Sequence, residues 1–500
     1  MKIKIGIWLL LMSGYVMSVS QTWNFELDKS EMEQHIRFLS SDELQGRYTG
    51  SPGNRVAARY IAEYLRAQGC QIVEGATGYF QEIPFESVTP PSTASLKIGD
   101  NSYELGKDFF ISNGGPVKVE GRAVFAEHGW VDEKEGIDHF KGLDIAGKVV
   151  YVWSGKPGSR DPQEAFAASQ LKRKWAAERG ATALLEVYRL PFPWQFLLNY
   201  LNKENLVIAD PESTTKDLVY GMVNEKSDEV FENMQKGKGV QTSVESSGVI
   251  KRSKASSNVI AVLPGSDPKL KDEYMVVTAH YDHVGVGEQG GGFPYGKKDS
   301  IFNGARDNAI GVASLMLTAK AFAKTPPKRS VVFLALTAEE QGLIGSSYFV
   351  KHPLIPLDKI VFNFNTDGAG YNDTSLVAIM GYDRTGIATL IDQGAAEVGL
   401  KVVADPAPEQ GLFDRSDNVS FAQKGIPALS YSPGFAAFDQ ALMKNYHQVS
   451  DEAETLDYDY LYKYTEAFIR TAKLIADSDE RPFWVKGDKY ESVGKSLYKR

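Results

Sequence analysis

Cysteine is nearly absent from this chain. Cys70 stands alone among 500 residues, so no intrachain disulfide can form and stability has to come from buried apolar cores. It follows a helical segment ending Ala67-Gln68-Gly69 and reads as a small packing residue, not a nucleophile. A basic excess is lacking too: the formal net charge of -9 argues against a nucleic-acid binder, because phosphate recognition needs a basic face. After the N-terminus no run is long and apolar enough to cross a bilayer. Internal repeats and low-complexity tracts are also missing.

Five hundred residues with an apolar fraction of 43% exceed one ordinary core, so two or more globular domains are expected. The N-terminus reads as a processing signal. Lys2 and Lys4 form a positive start, residues 5–19 an apolar run too short for a stable span, and Ser18 and Ser20 suit cleavage ahead of Gln21. Residues 1–20 are therefore expected to be a signal peptide and the protein to be exported, periplasmic or secreted, with a retained N-terminal anchor as the alternative. No membrane span is expected after signal removal.

Helical spacing of Val56, Tyr60, Ile61, Tyr64 and Leu65 predicts a helix over 54–68, preceded by another over 32–40 and a glycine-rich loop between them. From 99 to 245 the texture changes to short strands and loops, expected to form an inserted domain. Strong alternation of strands and helices begins at Ser257. Strands end at His280, just before Glu339 and Glu340, and just before Asp367, while a helix begins just after Asp307. The expectation is an α/β fold: a mostly parallel central sheet flanked by helices, built from 21–98 and 246–478, with the β-rich insertion between. Residues 479–500 read as a polar tail with an isolated Pro482-Phe483-Trp484.

An open α/β sheet gathers residues from separate strands at its carboxyl edge. His280, Asp307, Glu340, Asp367 and His447 stand at such positions. Two imidazoles and three carboxylates are the ligand chemistry of a pair of divalent cations, most naturally zinc, with cobalt or manganese as substitutes. The reading is a two-metal hydrolase.

The segments Thr278-Ala279-His280-Tyr281-Asp282-His283, Asn303-Gly304-Ala305-Arg306-Asp307-Asn308, Ala338-Glu339-Glu340-Gln341-Gly342, Asn365-Thr366-Asp367-Gly368 and Tyr446-His447, in this order, resemble the co-catalytic dizinc peptidases. That family includes secreted bacterial aminopeptidases, glutamate carboxypeptidase, transferrin receptor and glutaminyl cyclase. The resemblance covers residues 30–475. It implies that Asp307 bridges two zinc ions, with Glu340 and His447 completing one site and His280 and Asp367 the other, around a shared water. It also implies a cis peptide bond at Asp307-Asn308.

Glu339, extending from the same turn as Glu340, cannot point the same way and is placed to act as general base. Asp282 is expected to take the second imidazole nitrogen of His280 and fix its tautomer; the alternative is a surface carboxylate. Tyr446 is either an oxyanion donor or a packing tyrosine. His283 is read as a loop or cleft residue without a ligand role, and His35, His128, His139 and His352 as structural or surface histidines. Phe413-Asp414-Arg415-Ser416-Asp417-Asn418 resembles the family's stretch lining the substrate side. Gly147-Lys148-Val149-Val150 and the segment Trp175 to Ala181 make the insertion resemble a protease-associated domain that roofs the cleft.

Gly285-Val286-Gly287-Glu288-Gln289-Gly290 matches a dinucleotide fingerprint, but it runs into Gly291-Gly292-Phe293-Pro294 with no helix to hold a pyrophosphate, so that reading is rejected for a mobile loop beside the metals. The expected activity is an aminopeptidase acting on peptides. A carboxypeptidase is weakened by the lack of arginine in Leu429-Ser430-Tyr431-Ser432, a glutaminyl cyclase by the insertion, and a receptor-like binding protein by the complete ligand set. Sequence leaves the oligomeric state open.

Overall fold

Alternate residues of each central strand face two different apolar layers, and this organises the molecule. The computed structural model describes residues 23, 25–159, 162–210, 212–291 and 293–500; the expected signal peptide lies outside them. The main sheet contains β1 (Phe80–Thr89), β2 (Asn205–Ile208), β3 (Ile250–Leu263), β4 (Tyr274–His280), β5 (Ser330–Leu336), β6 (Ile360–Thr366), β7 (Leu376–Met380), β8 (Lys401–Ala404) and β9 (Ala428–Pro433). Their spatial order is β2-β1-β3-β5-β4-β6-β9-β7-β8. The central strands β5, β4, β6 and β9 run parallel. β3 and β7 flank them antiparallel, so the sheet is parallel at its centre and mixed toward both edges.

Met275, Val277, Ala279, Val331, Phe333 and Ala335 pack into one core, while Val276, Val332, Leu334 and Leu336 pack into the other. Burial on both faces explains why these strands read as unbroken apolar runs. The first core is closed by helices Lys29–Leu39, Pro52–Ala67, Ile310–Lys324 and Tyr458–Asp477. Helix Pro52–Ala67 starts where Ser51 accepts a hydrogen bond from the Asn54 N–H, with proline in its first turn. Helix Ile310–Lys324 is apolar almost all round because other helices and the sheet enclose it.

The second core is closed by helices Ile344–Lys351 and Asn418–Ala422 and by the C-terminal segment. That segment is not a loose polar tail. Trp484 is buried and its Nε1 donates to the Gly425 carbonyl at 2.9 Å, and helix Glu491–Tyr498 follows it. Tyr498 donates to the Ile360 carbonyl at 2.6 Å.

Between β1 and β3 the chain builds a five-stranded sheet, with Ala183–Val187 at its centre, and a four-stranded one containing Gln241–Ser246. An apolar cluster including Ile98, Tyr151, Leu185 and Val244 lies between them. Two details cross the expected boundaries at 99 and 245. Strand Ala94–Ile98 pairs with Gln241–Ser246, and β2, from inside the stretch, pairs with β1 at the edge of the main sheet. No described helix is long and apolar enough to cross a membrane.

Candidate metal centre

Each parallel strand delivers a polar residue at its carboxyl end, the edge where open α/β sheets bind ligands. β4 ends in His280, β5 is followed by the turn to Glu339 and Glu340, and β6 by Asp367. Asp307 sits in an irregular turn just ahead of helix Ile310–Lys324, and its peptide bond to Asn308 is cis. Ala338 and His447 adopt left-handed backbone, with φ of 57° and 51°. Such conformations strain a side-chain-bearing residue and persist only where the surroundings dictate them.

These side chains converge. His280 Nε2 lies 3.2 Å from Asp307 Oδ1 and 3.2 Å from Asp367 Oδ1. His447 Nε2 lies 3.1 Å from Asp307 Oδ2 and 3.3 Å from Glu340 Oε2. Asp307 thus faces two clusters, one oxygen to each. Donor atoms within 4.8 Å of one another form the groups His280–Asp307–Asp367 and His283–Asp307–Glu340–His447.

Electrostatics provide a test of whether cations fit here. Burial opposes charge on both imidazoles, yet Asp367 and Glu339 raise the His280 pKa well above its ordinary value, and Glu340 and Asp307 raise that of His447 to about 10. Burial works against Asp307 too, but hydrogen bonds with His280 and His447 hold its carboxyl well below the usual range. His447 likewise outweighs burial at Glu340, bringing it down to about 2. Carboxylates crowded together in a dry site draw in whatever positive charge is available. Nitrogen and oxygen donors in this arrangement suit zinc.

Glu339 belongs to neither group. Its carboxyl is pushed well above the ordinary range by burial, then by Asp367 and Glu340, with His280 opposing. It lines a cavity of about 850 Å³ with His280, Asp307, Glu340, Asp367, Tyr446 and His447. Met380, Leu412, Phe435 and Phe438 add apolar walls, and Phe166, Gln170 and Leu201 reach in from helices Pro162–Glu178 and Trp194–Leu201 of the inserted stretch.

Asp282 is buried, not a surface carboxylate, but its carboxylate does not take the expected proton. His280 Nδ1 lies 3.2 Å from the Asp282 backbone carbonyl and 3.9 Å from its Oδ1. The carboxylate instead accepts from the backbone N–H groups of Glu339 and Glu340 at 3.1 and 3.3 Å and from the Thr49 hydroxyl at 3.1 Å. Fixing the turn that carries both glutamates is a backbone role that spacing cannot reveal. Tyr446 stacks on His447 with ring centroids 4.1 Å apart, and Arg415 Nη2 donates to its hydroxyl at 3.4 Å. Burial raises the pKa of the phenol, keeping its proton in place.

His283 lies in the loop that follows β4 but does not line the cavity: its side chain is fully buried, with Nδ1 2.8 Å from Glu340 Oε1. Two further residues that no motif marks support the site. Arg47, fully buried, donates to the carbonyls of Tyr281 and Gly304 at 2.8 and 2.9 Å. Asp451 accepts from the backbone N–H groups of Arg306 and Asp307 and from the Arg306 guanidinium. The glycine-rich stretch after His283 forms a small hairpin, Gly285–Val286 with Ile301–Phe302, and a 3₁₀ turn at Gly287–Gly290.

The fold and the grouped imidazole and carboxylate donors, an arrangement suited to metal ions, can be set beside known proteins. Residues 258–472 match the model of Peptidase family M28, a little under half of the chain. A vacuolar membrane protease of Lachancea thermotolerans is 32% identical over 115 residues, 23% of this chain and only 10% of that protein. Aminopeptidase YwaD of Bacillus subtilis is 25% identical over 238 residues, 46% of each chain. Among solved structures, an aminopeptidase from Aneurinibacillus sp. strain AM-1 superposes with a TM-score of 0.57 at 21% identity, covering 91% of this chain and 95% of the other. That last likeness is one of fold.

Proposed function

We propose that the chain is an exported two-zinc peptidase that removes residues from the free amino end of peptides. The observation that carries this reading is Asp307 facing two donor clusters across one cavity, with Glu339 beside them in neither. His280 and Asp367 would hold one ion, Glu340 and His447 the other, and Asp307 both; cobalt or manganese would substitute for zinc. When bound, the ions supply Lewis-acid polarisation of a scissile carbonyl and lower the pKa of water. Glu339, beside the donor groups but in neither, accepts the proton of the attacking water and passes it to the departing amine. Tyr446, still protonated, donates to the oxygen on which charge develops. Asp282 keeps Glu339 and Glu340 at their separate tasks by holding their backbone.

An acidic cleft favours a substrate ammonium group, hence the amino end. The inserted stretch, read as a protease-associated domain, closes one side of the cavity through Phe166 and Leu201 and limits the peptides admitted. One observation favours a carboxypeptidase as the second reading: Arg415 lines the same cavity, and a guanidinium suits a carboxylate. A peptide panel assayed with zinc separates them. An aminopeptidase cleaves C-terminal amides and spares N-acetylated peptides; the reverse preference would replace the first reading with the second.

A further inference from the structure

Each ion of the proposed centre needs donors held at fixed angles, and Glu340 has two oxygens with which to satisfy one. Only Oε2 faces His447, at 3.3 Å. Oε1 turns the other way, to His283 Nδ1 at 2.8 Å. A carboxylate oxygen carries lone pairs and no proton, so the imidazole nitrogen facing it at this distance has to be the donor. That places a proton on His283 Nδ1. Nε2 is buried with no hydrogen-bond partner among the described residues.

The ring has little freedom to do anything else. A Cβ added at Gly304 would lie 2.6 Å from both Cδ2 and Cγ of His283, so the imidazole rests against a backbone that only glycine leaves clear. Gly304 has φ of 61°, which glycine adopts without cost. Arg47 anchors the Gly304 carbonyl from behind. On the open side the His447 ring stands edge-on at 5.4 Å. The histidine is therefore clamped between the turn that carries Asp307 and the ring of a second ligand-type residue.

We propose that His283 is a positioning residue for the metal centre: it donates from Nδ1 to Glu340 Oε1 and so makes Glu340 a one-oxygen ligand through Oε2. The inference rests on the two-metal reading above. Groups that orient a metal's ligands are commonly worth about 10–100-fold in affinity, whereas a direct ligand contributes a bond of its own. His283 also lies within 4.8 Å of the other donors, so its acting as a ligand is the rival that the test has to exclude.

Asparagine and glutamine discriminate. The amide nitrogen of asparagine falls near the position of Nδ1, and that of glutamine near Nε2. Zinc affinity of the full chain, metal-stripped and titrated against a chromophoric chelator, is the readout, with thermal unfolding of the stripped proteins as a check on folding. His283→Ala and His283→Gln are expected to weaken one of the two zinc sites by about 10–100-fold, while His283→Asn stays within a few-fold of the parent. Loss of that site in His283→Asn as severe as in His283→Gln would overturn the proposal in favour of direct ligation. Unchanged affinity in His283→Gln would overturn it in favour of plain packing. The Asn–Gln comparison stands even where the alanine variant fails to fold. A parent chain that binds fewer than two zinc ions would defeat the two-metal reading itself, a separate outcome.

Discussion

Glu339 and Glu340 are chain neighbours with opposite surroundings, and the proposed mechanism depends on keeping them apart. Glu339→Gln preserves volume and every donor of the two groups but cannot accept a proton. It is expected to keep normal zinc content while turnover falls by about 10²–10⁴. Glu340→Gln removes a donor, so zinc content and rate should fall together. Metal analysis beside turnover for both variants checks this; a Glu339→Gln protein that loses zinc or keeps most of its rate would mean the base lies elsewhere. His280, Glu340 and Asp367 were legible in the sequence because each follows an apolar run that reads as a buried strand, and Asp307 because a helix begins just after it; His447 stood out by its place in the resemblance. The parts that Asp282, His283, Arg47 and Asp451 play were not. Their work is done through backbone groups and neighbours distant in sequence, as when Asp451 caps the Arg306-Asp307 turn.

Helix Lys29–Leu39 carries a titratable group in its apolar face. His35 is buried, its Nδ1 2.7 Å from the Tyr60 hydroxyl, and burial lowers its pKa to about 4 from an ordinary 6.5. Between those values the unfolded chain binds the proton and the folded one does not, so acid favours unfolding. As pH falls from 6.5 toward 4 this residue should cost about 3 kcal/mol of stability, at about 1.4 kcal/mol per unit of pKa. Denaturant unfolding of His35→Gln should show a shallower acid slope; an unchanged slope would clear His35 of the effect. At the other end of the chain, Trp484→Ala should cost about 3–5 kcal/mol, measured the same way, because the indole is packed in the second core. Composition hid this: polar residues around Pro482-Phe483-Trp484 suggested a tail, and only contact with Gly425 and its neighbours reveals a docked element. The alternation of strands and helices was readable from Ser257 onward because burial on both faces leaves an unbroken apolar record. The pairing of β2 with β1 was not, since a four-residue edge strand carries little pattern of its own.

At the scale of the molecule, the inserted stretch and the main sheet together enclose the cavity. Shortening its contribution by Phe166→Ala with Leu201→Ala should leave cleavage of the shortest peptides near normal and raise that of longer ones. A ladder of peptide lengths measures this, and an identical length profile would remove the roof from the account. Metal should also hold the whole chain together, because its proposed ligands come from segments spread between His280 and His447. At a free zinc concentration 100 times the dissociation constant, stabilisation of about 2.7 kcal/mol is expected. Two ions held by this cluster are proposed to hydrolyse peptides from the amino end. The most direct test is titration of the metal-stripped protein with zinc, reading turnover of a peptide with a free amino terminus at each addition. Full activity should be reached at two equivalents of zinc per chain. Full activity in the stripped protein, or none at two bound equivalents across the peptide panel, would contradict the proposal.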